Sequence, residues 1–219
     1  EYGHLVLLGL RMTLLLFAMA WLFGMALAAI LTVLRALEIK PVAWLIAAYV
    51  EYHRNVPALI QLFVWYFGVA ALLPYRLNLV INDYGAEIVF ATLALGCNKA
   101  AYMSEDFRSG LRAIPVTQME AARAMGLSYF GAMRWVILPQ AWRLALPALM
   151  GQTLLLFKMT SLAAAIGVGE LTYQARHIEH LTFRIFETFG VVTVIYVAGC
   201  SFLMWGGEKI ATRYRLRTK

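Results

Sequence analysis

Charge is absent from Thr13 to Leu34, a run long enough for the ~20 apolar residues that cross a bilayer as a helix. Arg35 and Lys40 close it. A shorter apolar piece from Pro41 to Val50 ends in Glu51-Tyr52-His53-Arg54 and reads as an interfacial helix or the foot of the next span. That second span runs from Asn55 to Leu73, opened by Pro57 and closed by Pro74-Tyr75-Arg76. A third run, Ala86 to Met103, is interrupted by Lys99 and followed by Glu105. Leu144 to Phe157 is uncharged, Lys158 interrupts, and Met159 to Gly169 is uncharged again. This stretch is too long for one straight span and holds Gly167 and Gly169, so it predicts a fourth helix followed by a broken or re-entrant segment. Thr188 to Gly207 forms the fifth, ending in the basic tail Lys209, Arg213, Arg215, Arg217 and Lys219. The pattern predicts an all-α membrane protein with five transmembrane helices in one domain, residues 1–219.

Within these runs some positions have two readings. Gly24 and Ala28, four apart, form either a helix-packing face or a lipid-facing coincidence. Lys99 either faces the bundle interior or a watery path, or snorkels to the interface. Cys97 and Cys200 lack ligand-like spacing and read as small packing residues. The chain opens on Glu1 rather than methionine, so its N-terminus is expected to be trimmed or incomplete. The first run exceeds the 7–15 residues of a signal-peptide core and reads as a span.

Composition sharpens the picture. The chain is 62% hydrophobic and 14% charged, against roughly 25% charged for soluble domains. Its formal net charge of +7 suits nucleic acid in a soluble protein, but in a membrane protein the positive-inside rule accounts for it. Five spans place the termini on opposite sides, so the basic tail is expected in the cytoplasm and the N-terminus outside. Most of the Lys and Arg then lie inside, with Arg76, Arg176 and Arg184 outside and Arg11, Lys99 and Lys158 in or near spans. The segment 115–139 falls on the cytoplasmic side.

That segment, PVTQMEAARAMGLSYFGAMRWVILP, predicts a short capped helix. Thr117 is placed to cap it, with Glu120 three residues on to complete a capping box. Gly126 is the expected left-handed stop. The helix is too short and too polar to cross a membrane. Its alanines permit close approach, while Glu120 and Arg123 supply directional contacts, as in a docking element.

Glu120-Ala121-Ala122, then Gly126, then Ile137-Leu138-Pro139 resembles the EAA loop of bacterial ABC importer permeases. Further segments resemble the polar amino acid subfamily: Tyr49 through Arg54, Pro57 and Gln61-Leu62-Phe63; Ala101-Tyr102, Glu105, Arg108 and Gly110; Lys158-Met159-Thr160-Ser161-Leu162; and Ile166-Gly167-Val168-Gly169-Glu170-Leu171. Two departures stand out. Met159 replaces an acid, and His53-Arg54-Asn55-Val56 replaces the commoner F-R-G-T.

The resemblance implies a type I ABC importer fold in the bacterial inner membrane. It also implies an ATP-binding cassette ATPase dimer docked on Glu120, Ala121, Ala122, Gly126, Leu138 and Pro139. A second permease, identical or homologous, and an extracytoplasmic solute-binding protein complete the machine. No catalytic or metal-binding residues are expected, and the four histidines form no ligand pattern. ATP and Mg would be bound by the ATPase, since the chain has no G-x-x-x-x-G-K-[ST] loop. Glu105, Lys158, Thr160, Ser161 and Glu170 are the expected substrate-pathway residues, and Lys158 favours an acidic or zwitterionic amino acid. The competing reading is a secondary transporter or channel subunit without ATPase partners. It accounts for the intramembrane charges but not for the capped helix.

Overall fold

The computed structural model describes residues 2–37 and 39–214, so Arg215, Arg217 and Lys219 of the basic tail lie outside it. The described residues are helical with short connections. Helix α1 spans Gly3–Ala36, α2 Lys40–Asn55 and α3 Ala58–Leu72. Helix α4 is Tyr75–Asp83, α5 Ala86–Arg112 and α6 Val116–Ala124. The longest, α7, runs over Tyr129–Ile166, followed by α8 (Leu171–Thr182) and α9 (Ile185–Tyr214).

Helices α1, α7 and α9 are each long and apolar enough to cross a membrane. The pairs α2–α3 and α4–α5 pass the same test jointly but bend by 111° and 97°. The first bend occurs at Pro57, which lacks an N–H and is tolerated at a helix start.

The core is the crossing of α1 on α5. Gly9, Thr13, Leu16, Ala20, Gly24 and Ala28 recur every three to four residues and are the buried face of α1. Gly24 therefore belongs to a packing face. A Cβ added there would sit 3.0 Å from the Gly96 carbonyl oxygen, and one at Gly96 would meet Phe23 at 2.4 Å. Small residues bring the two backbones together, the usual device where lipid removes a hydrophobic drive between helices. The second tight crossing is α5 on α7, where a Cβ on Gly110 would lie 2.5 Å from the Ala141 carbonyl oxygen. That contact is the physical reason for a glycine at the end of the Glu105–Gly110 segment.

Two local expectations change. The fourth helix, expected from Leu144, already begins at Tyr129 within the segment 115–139. Ser128 caps it, accepting from the Gly131 amide at 3.1 Å. Winding over Met133–Ile137 is of π type, with the Leu138 amide bonded to the Met133 carbonyl, and the helix then carries Pro139 and Pro147 inside it. At the other end, Lys158 does not break α7. The winding tightens to 3-10 over Thr160–Ile166 and stops at Gly167, whose φ is +90°.

Candidate functional site

The EAA residues lie on α6. Pro115 occupies the position before the first helical residue, leaving Thr117 inside the first turn, and no side chain caps this end. The expected capping box is therefore absent: a proline with its fixed φ has taken the place a threonine would fill. The C-terminal stop is as expected. Gly126 has φ +90°, its amide bonds the Arg123 carbonyl, and the Leu127 amide reaches back to Ala122 at 3.2 Å. This is a Schellman closure, which needs a residue free of a Cβ in the left-handed region.

Ala122 is the buried anchor of α6, whereas Glu120, Ala121, Gly126, Leu138 and Pro139 are exposed. Around them Val116, Met125, Phe130 and Trp135 are more than two-thirds exposed. A short helix fixed by one methyl group, rimmed by exposed large apolar side chains, is a surface suited to a protein partner.

The predicted pathway residues do not converge. The Glu105 carboxylate accepts from Arg35 and lies 3.6 Å from Arg108, tying α1 to the end of α5. Glu170 is fully buried and caps α8, accepting from the Tyr173 amide at 2.9 Å and the Tyr196 hydroxyl at 3.1 Å. Thr160 and Ser161 donate to the carbonyls of Phe157 and Lys158. Lys158 is exposed and makes no ion pair among the described residues, so neither glutamate folds toward it.

Instead, polar groups gather at the α2–α3 bend. Arg54, Asn98, Lys99, Tyr102 and Met159 line a cavity of about 460 Å³ there. Lys99 is 3% exposed, so it faces inward rather than snorkelling. Its ammonium stands 3.4 Å from Gln152 Oε1 and 4.8 Å from the centre of the Tyr102 ring. The Arg54 guanidinium lies 5.8 Å from the same ring. Asp106 is the carboxylate whose charge reaches both cations.

Behind the cavity, His53 Nδ1 donates to Gln61 Oε1 at 2.6 Å. Gln61 donates to the carbonyls of His53 and Val56. Asn98 donates to the His53 carbonyl and to Gln61 Oε1, leaving its own Oδ1 without a partner. This network holds the sharp bend together, and it explains His53 in place of phenylalanine: the imidazole is a hydrogen-bond partner for Gln61. Asn98 carries this site without having been singled out in the sequence, and Tyr102 entered there only as part of a family-like segment. The signal was Asn98 beside Lys99 within an apolar run, a costly pair unless both face inward.

Comparison with known proteins agrees with this architecture. The family model for the inner membrane component of binding-protein-dependent transport systems matches residues 5–215. A probable amino-acid ABC transporter permease of Vibrio harveyi, PatM, is 36% identical over 194 residues, covering 89% of this chain and 81% of that protein. The glutamate/aspartate import permease GltJ of Escherichia coli K12 is 30% identical, covering 95% of this chain and 86% of GltJ. Among solved structures, an amino acid ABC transporter crystallised with histidines matches with a TM-score of 0.84 and 30% identity, covering 97% of this chain and 95% of that one. The methionine transporter MetNI shares the fold at a TM-score of 0.66 and 22% identity, covering 96% and 94%. With the type I importer fold in place and the matches running along almost the whole sequence, the chain belongs to the binding-protein-dependent transport family and is a permease subunit of an amino-acid ABC importer.

Proposed function

We propose that residues 1–219 act as one five-span permease domain of the inner membrane, with the N-terminus outside and the C-terminus cytoplasmic, and that α6 is the element through which an ATPase dimer drives it. The observation that carries this reading is α6 itself: closed by a Schellman turn, with Ala122 its one buried residue, and set between the two long helices α5 and α7. Five crossings are reached when each bent pair counts as one span. The exposed Glu120 face enters a cleft of the ATPase, which binds ATP and Mg, and the short rigid helix passes the motion of that dimer to α5 and α7. A second permease and a solute-binding protein outside complete the importer, whose spans rock between inward- and outward-open states. Glu120→Lys or Gly126→Asp should release the ATPase or abolish stimulated ATP hydrolysis while insertion continues. Co-purification and hydrolysis at the unaltered level in both variants would refute the assignment.

Orientation is read by cysteine labelling. Asn78 is a poor probe because its amide closes the end of α3 on the Ala70 carbonyl. Asn82 on α4 and Gln118 on α6 are exposed. An impermeant maleimide should label Asn82→Cys from outside and Gln118→Cys only from inside; the reverse pattern overturns the topology.

The cavity at the α2–α3 bend is proposed as the substrate passage, bordered by the Lys158–Ser161 turn through Met159. Two cations, one nearby carboxylate and a methionine where the subfamily has an acid favour an acidic or zwitterionic amino acid over a cationic one. The unpartnered Asn98 Oδ1 is an acceptor for its ammonium. Uptake of glutamate by the whole complex should fall in Lys99→Met by about tenfold or more, the loss expected on removing one charge-assisted contact. Lys158→Met should fall less. Best transport of arginine, unaffected by Lys99→Met, would exclude this passage.

A further inference from the structure

A second crevice, of about 500 Å³, opens between the last turns of α1, the first half of α2 and the end of α5, with Tyr129 at its edge. Arg35, Arg108 and Arg112 all line it. Arg108 and Arg112 are four residues apart on α5, where like charges repel unless an anion lies between them. Glu105 pairs with Arg35 and Arg108, and Arg112 has no acidic partner among the described residues. Glu38 lies nearby in sequence but outside the described residues. Even with it counted, Arg35, Arg108 and Arg112 exceed Glu38 and Glu105, so the mouth is net positive.

The walls have a different chemistry. Leu31, Ala43 and Ile46 line the crevice, which extends up to Ser104. Ser104 is eight residues from Arg112, roughly 12 Å along the helix at 1.5 Å per residue. Next to Leu31 and Arg35 in sequence, Val33, Leu37 and Ile39 are about half exposed or more, as lipid-facing residues are. A free inorganic anion would gain nothing from these walls, and a carboxylate on a partner protein would meet Arg112 without filling the depth.

We propose that this crevice binds an anionic phospholipid, its phosphate held by Arg35, Arg108 and Arg112 and the upper part of one acyl chain lying along Leu31, Ala43 and Ile46. Guanidinium groups suit phosphate because their planar donors bind it in pairs. Basic pockets between membrane helices at a leaflet surface are where such headgroups settle. Tyr129 is the first residue of α7, separated from α6 only by Met125–Ser128, so an occupied crevice also braces the start of α7 beside the proposed coupling element.

The test uses the whole transporter, permeases with ATPase, in detergent. It is incubated with dioleoylphosphatidylglycerol, with dioleoylphosphatidylcholine, or with phosphatidylglycerol plus excess inorganic phosphate, and bound lipid is counted by native mass spectrometry. Phosphatidylglycerol should be retained, phosphatidylcholine should not, and inorganic phosphate should not displace the lipid. Arg112→Gln should lower retention about fivefold, the factor one basic side chain contributes at a membrane surface, and Arg112→Lys should recover most of it. Arg108→Gln serves as a second variant, with thermal unfolding of each checked against the unaltered complex. Equal retention in the unaltered complex and both glutamine variants would overturn the proposal. Displacement by inorganic phosphate would make this a free-anion site. Lipid bound by the permease alone but absent from the ATPase complex would assign the crevice to a subunit contact.

Discussion

Helices α5 and α9 are similar in length and opposite in character. From Thr188 to Gly207, α9 carries no charge, yet Val192 and Gly207 are its only buried residues among those described. Helix α5 holds Thr92, Asn98, Lys99 and Ser104, and its buried residues run almost unbroken from Phe90 to Ser104. In water the more apolar helix would be the inner one. In lipid, apolar side chains have no reason to leave the surroundings, and the interior goes to small residues that pack closely and polar ones that need partners. Hydropathy therefore marks which segments cross, while small and polar residues mark which faces meet.

The comparison can be broken most severely at glycine. Gly110→Leu drives a side chain into the Ala141 carbonyl and should destabilise the permease by about 3 kcal/mol or more, at the upper end for overpacking. A Cβ on Gly206 of α9 meets nothing within 4 Å, so Gly206→Leu should leave the protomer folded. Unfolding in a graded denaturing detergent reads both. Similar losses would mean α9 is packed as tightly as α5. If Gly206→Leu spares the fold but splits permease pairs on native gels, α9 is instead where the second permease sits.

Polar deletions give the next effect. Gln61→Leu strips partners from His53 Nδ1 and Asn98 Nδ2 and should lose about 2 kcal/mol, since buried donors are left unsatisfied. Thr193 on α9 only donates to the Phe189 carbonyl of its own helix. Thr193→Val should change the same unfolding midpoint hardly at all, and a comparable loss there would contradict the inside–outside division.

Helix α6, proposed as the coupling element, tests smaller terms. Gly126→Ala forces a Cβ into the left-handed region and should weaken the α6 closure by about 1 kcal/mol. Hydrogen exchange at the Met125 and Leu127 amides should then quicken about fivefold, with binding-protein-stimulated hydrolysis reduced. Unchanged exchange would mean something else closes the helix. Ser128→Ala removes the cap of α7, a loss of about 1 kcal/mol or less. Faster exchange confined to the Gly131 amide is the expected sign, and faster exchange throughout α7 would show that this cap holds more than one turn.

Charge-free runs located α1, α7 and α9, and Gly126 declared the end of α6, because each is a local property of the chain. Rotation about an axis is not. Nothing local told whether Lys99 turned inward, since polar and apolar residues surround it in sequence; Tyr102 stacks beside it on the same helix, but Gln152, which receives its ammonium, comes from α7. Glu170 looked like a pathway acid and is a cap, legible only once α8 was known to begin after it. Pro139 closes the segment 115–139 in the sequence yet lies inside α7, where π winding ahead of it lets the helix continue. Thr117 failed in the opposite direction: the motif was present, but the helix begins at Val116, too early for Thr117 to cap it.

The side-chain amide of Gln61 also bears on how the chain is made. Its two donor bonds and its bond to His53 all lie within residues 53–61. Asn98, the remaining partner, is 37 residues further on, which at typical synthesis rates means a delay of a few seconds. The bent pair α2–α3 can therefore leave the insertion machinery with the amide of its buried glutamine already engaged, and wait in the bilayer without an orphaned amide. Had Asn98 been the sole partner, that segment would have had to linger at the exit until α5 emerged. The bend thus needs nothing from α5 to satisfy the Gln61 amide, and α5, made later, adds Asn98 to a polar edge whose bonds are local.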